Sequence, residues 1–572
     1  MEKSTRTFLP TAFFSEEYAI AMMEKILIYQ IFTRLYGNRN VTRKVNGTIA
    51  DNGCGKMADF TPEVLQGIRE MGISHVWYTG IIRHATQTDY TAYGIPRQHP
   101  AVVKGKAGSP YAIADYYDVD PDLATDVKLR MLEFEQLVQR THQAGLKVII
   151  DFVPNHVARQ YHSVCKPKSV KDLGETDDTT KGFDPQNNFY YCPGERFIPY
   201  FDLYQGERDP YLEEPAKATG NDHFDNAPGK NDWYETVKLN YGVDYYAGGI
   251  GYFDPMPDTW KKMTDILLFW AKKGIDGFRC DMAEMVPAEF WAYATQVVKK
   301  KYKNLLFIGE VYNPSEYRHY LASGFDLLYD KVGMYDTMRA VTCHHAPASA
   351  ISNAWQATDD IRDHMLYFLE NHDEQRVGSD FFAADGRKGV PALIASVLMQ
   401  QNPFMLYAGE EYGERGMDRE GFSGNDGRTT IFDYWSVDTL CRAAQKHLTD
   451  EEQQLYDIHK KTLLLANQEQ AVQQGVFFDL MYVNGHLERQ YAFLRHVKNE
   501  LLLVAVNFED RDVMVDVNIP AHAFDYLEMK EKKVIATDLL TNERLAMSLR
   551  KDGSVKMEIA ARSGRVWKVR LA

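Results

Sequence analysis

The chain has 572 residues, of which 45 % are hydrophobic and 25 % charged, with a net charge of −15. That length exceeds a single core and implies two or three domains; the acidic balance argues against nucleic acid or an anionic membrane as partner, since both need a basic face. No window holds about 20 apolar residues in succession, so no spanning helix is expected, and six scattered cysteines without a CxxC pair argue against structural zinc and a disulfide framework and favour a cytoplasmic protein.

Residues 1–23 read as an N-terminal extension. Lys3 and Arg6 precede a short apolar patch, which Glu16 and Glu17 interrupt before a secretory core could form. From residue 25 onward, short apolar runs alternate with amphipathic stretches. The runs cover 25–37, 72–82, 145–156, 274–285, 304–313, 325–330, 364–376 and 402–413. TPEVLQGIREM, KLRMLEFEQLVQRTHQA and DTWKKMTDILLFWAKK supply helical spacers before the second, third and fourth. Near-continuous apolar runs are what strands covered on both faces require. Eight of them alternating with helices predict an α/β fold, a (β/α)8 barrel.

Two long connections interrupt the pattern. The first spans about 83–120. The second, polar and rich in Gly, Asn, Asp and Tyr, is long enough to carry a small domain of its own. The predicted organisation is a first barrel part at 24–156, an inserted loop-rich domain after strand 3 at 157–245, and a second barrel part at 246–465. From 466 to 572 short β-type runs such as LLLVAVNFED and GRVWKVRLA predict a C-terminal antiparallel β-sandwich.

Polar clusters close four of the predicted strands: Asp151-Phe-Val-Pro-Asn155-His156, Gly277-Phe-Arg279-Cys-Asp281, Gly309-Glu310 and Asn371-His372-Asp373. A single charged residue at a strand end reports only loop solubility. Four strand ends of one barrel converge on one mouth, so these clusters must be neighbours. Together they offer Asp281, Glu310, Asp373, Arg279, His156 and His372. Glycoside cleavage needs such a set: one acid protonates the leaving oxygen and one carboxylate attacks or activates water. Crowded carboxylates keep one acid protonated near neutral pH. Cys280 lies beside Asp281, but strand alternation turns it to the other face, into core packing. Asp151 reads as a hydrogen-bonding residue of the barrel.

The four clusters, in this order, resemble the four conserved regions of the α-amylase family, glycoside hydrolase family 13. DFVPNH resembles the first, GFRCD the second, GEVYN the third and FLENHD the fourth; NPFMLYAGEEYG resembles the eighth-strand segment and VKLNYG the motif near the end of the inserted domain. The resemblance covers about residues 24–572 and implies a retaining α-glycosidase. Asp281 would be the nucleophile and Glu310 the acid/base. Asp373 would grip the hydroxyls of the distorted sugar, and Arg279 would orient Asp281. His156 and His372 would hydrogen-bond the same sugar, Tyr111 would stack beneath it, and Arg376 stands where many members contact the substrate. The implied substrate is an α-1,4-glucan such as starch, glycogen or maltodextrin, and the alternative reaction is α-glucanosyl or maltosyl transfer through the same intermediate. No cofactor is required for the chemistry and no metal ligand is assigned, although Asn155 matches a family calcium ligand and leaves a structural calcium open.

The sequence also departs from the family pattern. Glu284 and Met285 occupy positions where classical α-amylases carry Lys-His. Gly108 stands three residues before Tyr111, where many exo-acting relatives place an Asp.

Overall fold

The eight apolar runs become eight parallel strands in the computed structural model, which describes residues 25–416, 422 and 424–571. The extension predicted at 1–23 lies outside the described residues. The strands are β1 (Leu27–Phe32), β2 (His75–Thr79), β3 (Lys147–Phe152), β4 (Gly277–Cys280), β5 (Leu306–Gly309), β6 (Leu327–Tyr329), β7 (Met365–Phe368) and β8 (Phe404–Tyr407). Each pairs with the next, and β1 closes the barrel on β8 with Leu27 opposite Phe404.

Alternation along these strands sorts residues into two cores. Ile28, Trp77, Ile149, Ile308, Leu366 and Met405 cluster inside the barrel. Their neighbours in sequence, among them Val76, Val148, Phe307, Met365 and Phe404, belong to the large cluster beneath the helices. Successive strand residues face opposite sides. Gln30, Asp151, Arg279, Asp281 and Glu310 carry the inward parity, whereas Cys280 belongs to the outer cluster.

Helices α1 (Pro62–Glu70), α2 (Arg130–Gln143) and α3 (Asp258–Ala271) are the predicted spacers. In α1 the Thr61 hydroxyl accepts the Val64 amide and proline fills the first turn, which together set the helix start. Trp260, Met263, Ile266, Leu267 and Trp270 form the buried face of α3. Burying side chains of this size stabilises by roughly 1.5–3 kcal/mol each.

In the 157–245 region, His156–Ala158 pairs antiparallel with Thr236–Lys238, so the insertion leaves and returns at one point. Its own small core of Cys192, Phe197, Tyr211 and Ala216 is shared with Ala101 and Val102 from the loop after β2. The loops after β2 and β3 therefore pack as one wall above the barrel mouth.

The switch to β texture comes later than the sequence suggests. Helix α4 (Asp450–Gln468), capped by Thr449 and Glu452, runs past residue 465. The C-terminal strands are β9 (Val476–Asp479), β10 (Gln490–Val497), β11 (Glu500–Asn507), β12 (Val513–Ile519), β13 (Lys532–Asp538), β14 (Arg544–Leu549), β15 (Gly553–Ile559) and β16 (Ser563–Arg570). They form an antiparallel sheet in the order β9-β10-β11-β16-β13-β14 and a separate β12-β15 pair. No helix among the described residues is long and apolar enough to cross a membrane.

Candidate active site

Arg279, near the end of β4, organises the mouth of the barrel. Its Nη1 lies 2.7 Å from Asp281 Oδ1 and its Nη2 2.8 Å from Glu310 Oε1, so one guanidinium joins carboxylates from two adjacent strand ends. The rings of Trp77, Tyr111 and Tyr329 surround it at 5.2–5.6 Å. A buried guanidinium is tolerated only when its charge is met, and here two buried acids meet it. Burial pushes the Asp281 carboxyl well up, Glu310 and Asp373 add to that push, and the Arg279 contact opposes it.

Asp373 follows β7 on a turn in which Asn371 Oδ1 accepts the amides of Asp373 and Glu374. Burial, then the Glu310 charge, pushes Asp373 up to about 7. Its side chain remains 40 % exposed, and water tempers that push. His372 is buried behind it. Its Nε2 lies 2.5 Å from the Tyr111 hydroxyl and 3.1 Å from Asp373 Oδ2. Its Nδ1 lies 2.8 Å from Gln30 Nε2. With that amide as donor, the imidazole hydrogen sits on Nε2 and points at Tyr111 and Asp373. Burial holds His372 well below its usual range and His156 down at about 3, so both rings are neutral. Tyr111 stacks on His372 at 5.1 Å. Asp151 accepts from Trp77 Nε1 at 3.1 Å and the Gly80 amide at 3.4 Å, bracing the barrel rather than facing the cavity.

Tyr111, His156, Asp281, Glu310 and Asp373 all line one cavity of about 340 Å³. The same cavity shows what sequence reasoning missed. Trp233 and Phe432 add aromatic walls, a Lys104–Glu235 ion pair of 3.0 Å closes one side, and Tyr312 stands beside Glu310. Tyr312 was findable, since it shares the parity of Glu310. Lys104 and Glu235 come from different loops, and no local pattern links them. A larger cavity of about 570 Å³ lies elsewhere, lined by groups already paired, such as Arg387 with Asp385 and Arg442 with Glu452, and by none of the candidate acids.

Arg376 is a correction. It is 1 % exposed, with Nη1 2.8 Å from the equally buried Glu370, Nη2 on the Ala408 carbonyl and Nε on Thr429 Oγ1. Every nitrogen is committed beneath the site, so it is a structural ion-pair residue rather than a sugar contact.

The calcium expectation at Asn155 meets a different cation. Asn155 Oδ1 accepts from Lys238 Nζ at 2.7 Å, and that ammonium also pairs with Asp222 at 2.5 Å. Asn155 Nδ2 donates to the Gly220 carbonyl. Ca²⁺ needs six to eight oxygens, and a set whose centre is a fixed ammonium does not fit it. Asp51 and Asp59, at the ends of a loop that loosely resembles a calcium loop, are spent on helix caps. Asp115, Asp118 and Cys165 lie within metal-binding reach of one another, yet Arg83 pairs with both carboxylates and Arg130 with Asp118.

Comparison with known proteins bears on the family and the fold. The α-amylase MalA of Haloarcula japonica is 24 % identical over 408 residues, covering 70 % of this chain and 46 % of that protein, so the chain spans under half of that relative. The cyclomaltodextrinase of Thermoanaerobacter pseudethanolicus is 22 % identical over 546 residues, covering 91 % and 76 %. The crystal structure of the maltogenic α-amylase AmyB from Thermotoga neapolitana superposes with a TM-score of 0.62 at 19 % identity, covering 96 % of this chain and all of that one, which shows a shared fold. The profile described as alpha amylase, catalytic domain, matches residues 30–474, and the chain belongs to that family of glycoside hydrolases.

Proposed function

We propose that this chain hydrolyses α-1,4-glucosidic bonds of maltodextrins and related α-glucans with retention at the anomeric carbon. The observation that carries this reading is the Arg279 guanidinium paired at once with Asp281 and Glu310, two carboxylates that line one pocket.

Asp281 attacks the anomeric carbon while the Glu310 proton passes to the departing oxygen, and the C–O bond to the leaving sugar breaks. Water then gives its proton to Glu310 and its oxygen to the anomeric carbon, releasing Asp281. Arg279 aims Asp281 and supports its charge as the acylal bond breaks. Asp373, steered by His372, accepts hydrogen bonds from ring hydroxyls, and these strengthen as the sugar distorts. Tyr111, Trp233 and Phe432 cover the apolar sugar faces.

The test uses Asp281→Asn and Glu310→Gln with maltopentaose and an α-maltosyl fluoride. Each variant should lose at least about 10³-fold in turnover of the oligosaccharide. Glu310→Gln given the fluoride should accumulate a maltosyl ester on the peptide carrying Asp281, read by mass spectrometry. Near-wild-type turnover by either variant would sink the reading. Products from maltopentaose that are all shorter than the input support hydrolysis; longer chains as main products would make the enzyme a transferase.

A further inference from the structure

We propose that Tyr312 is the positioning residue of the acid/base Glu310, holding that carboxyl in both of its working states. The proposal rests on the role given to Glu310 above.

Three groups contact the Glu310 carboxyl. Arg279 Nη2 lies 2.8 Å from Oε1, the Met282 amide donates to Oε2 at 2.7 Å, and the Tyr312 hydroxyl donates to Oε1 at 2.7 Å. A guanidinium and a backbone amide can only donate, so both favour the ionised carboxylate. That state suits the second half-reaction, in which Glu310 takes a proton from water. The first half-reaction starts from the protonated acid, and a carboxyl proton needs an acceptor until it is transferred. Of the three contacts only the Tyr312 hydroxyl can both donate and accept, so it can turn with the proton while Glu310 stays in place. Burial and the Glu310 charge push the Tyr312 phenol well up, so it keeps its own proton throughout. The charged and titratable groups facing Glu310 are Arg279, Asp281, Asp373, Tyr329 and Tyr312.

The backbone that carries Tyr312 is anchored by a residue at which this sequence departs from classical α-amylases. Glu284 Oε2 accepts the Tyr312 amide at 3.1 Å and the Asn313 amide at 3.0 Å. Glu284 lies three residues after Asp281, so one carboxylate ties the loop after the nucleophile to the loop after the acid/base.

The experiment compares wild type, Tyr312→Phe and Glu310→Gln on maltotriose, whose leaving group must be protonated, and on α-maltosyl fluoride, whose leaving group needs little acid. In Tyr312→Phe the alkaline limb of kcat/KM on maltotriose should move up by about one pH unit, because a hydrogen bond to the carboxylate is lost. The plateau should fall about tenfold on maltotriose and far less on the fluoride. Thermal unfolding of Tyr312→Phe within a few degrees of wild type keeps the comparison about position rather than folding. An unmoved limb and an unchanged plateau in Tyr312→Phe, with Glu310→Gln dead on maltotriose, would overturn the proposal for Tyr312. Wild-type turnover by Glu310→Gln would instead overturn the assignment on which it rests.

Discussion

The Lys238 ammonium donates to Asn155 Oδ1 from a site where its side chain is 1 % exposed. It joins the strand that pairs with His156 to the turn that carries Asp222. A covalently tethered cation cannot be removed by chelation. Unfolding temperatures in excess EDTA and in millimolar calcium should therefore agree within about a degree. Lys238→Met strands Asn155 and Asp222 and should lower stability by about 1–3 kcal/mol, less than for a fully buried pair because Asp222 is partly exposed. A wild-type unfolding temperature that drops in EDTA and recovers with calcium would refute the ammonium as the resident cation.

Arg376 and Glu370 make the opposite case, a pair with no access to solvent. Removing the arginine leaves a buried carboxylate unmet, a loss of about 3–5 kcal/mol. Arg376→Met should therefore lower the denaturant midpoint sharply. Below the new unfolding transition, the KM for maltooligosaccharides should stay within about twofold. A raised KM with unchanged stability would restore a sugar-contact role.

Another buried acid below the barrel mouth links stability to pH. Burial pushes Glu411 up to about 7 from an ordinary 4.5; Oε1 accepts from Tyr29 and Oε2 from the Gly409 amide. Between those two values the native state holds a proton that the unfolded chain has released. The contribution is complete below about pH 4.5 and is lost as pH rises through about 7, roughly 3 kcal/mol over the window. Glu411→Gln is neutral at every pH, so it should match wild type near pH 4.5 and exceed it near pH 8. Urea midpoints at both pH values decide this, and an equal offset at the two would rule it out.

Much of the architecture was legible because physics repeats it along the chain. Strands covered on both faces need unbroken apolar runs, and eight such runs became eight strands. The period of two that places Cys280 under the helices also places Arg279 and Asp281 inside. Two C-terminal strands gave weaker signals: Val476–Asp479, β9, is only four residues long, and Arg544–Leu549, β14, breaks its apolar residues with Arg544 and Ser548 and leaves most of its length partly exposed. At the site, position within a motif did not fix environment. Arg376 lies three residues after Asp373 yet points at Glu370, because the acid it must neutralise comes from the same loop and lies beneath it. Lys238 and Asn155 are 83 positions apart, and only folding shows that the lysine reaches the asparagine. Lys104, Trp233 and Glu235 line the cavity from long loops, where neither period nor spacing carries information.

Gly108 shows why one departure from exo-acting relatives cannot simply be reversed. Its φ is +76°, and an added Cβ would lie 1.7 Å from the Ala85 carbonyl oxygen, a backbone atom that cannot turn aside. The left-handed backbone alone costs a side chain about 1–2 kcal/mol, and the clash adds to it. Both Gly108→Ala and Gly108→Asp should therefore destabilise, the aspartate no less than the alanine. Because Tyr111 follows within three residues, its ring should leave the face of His372, and kcat/KM on maltooligosaccharides should fall at least tenfold in both variants. Circular dichroism melts and oligosaccharide kinetics test this together. A stable Gly108→Asp enzyme that releases single glucose units would show that the loop can open to admit the carboxylate.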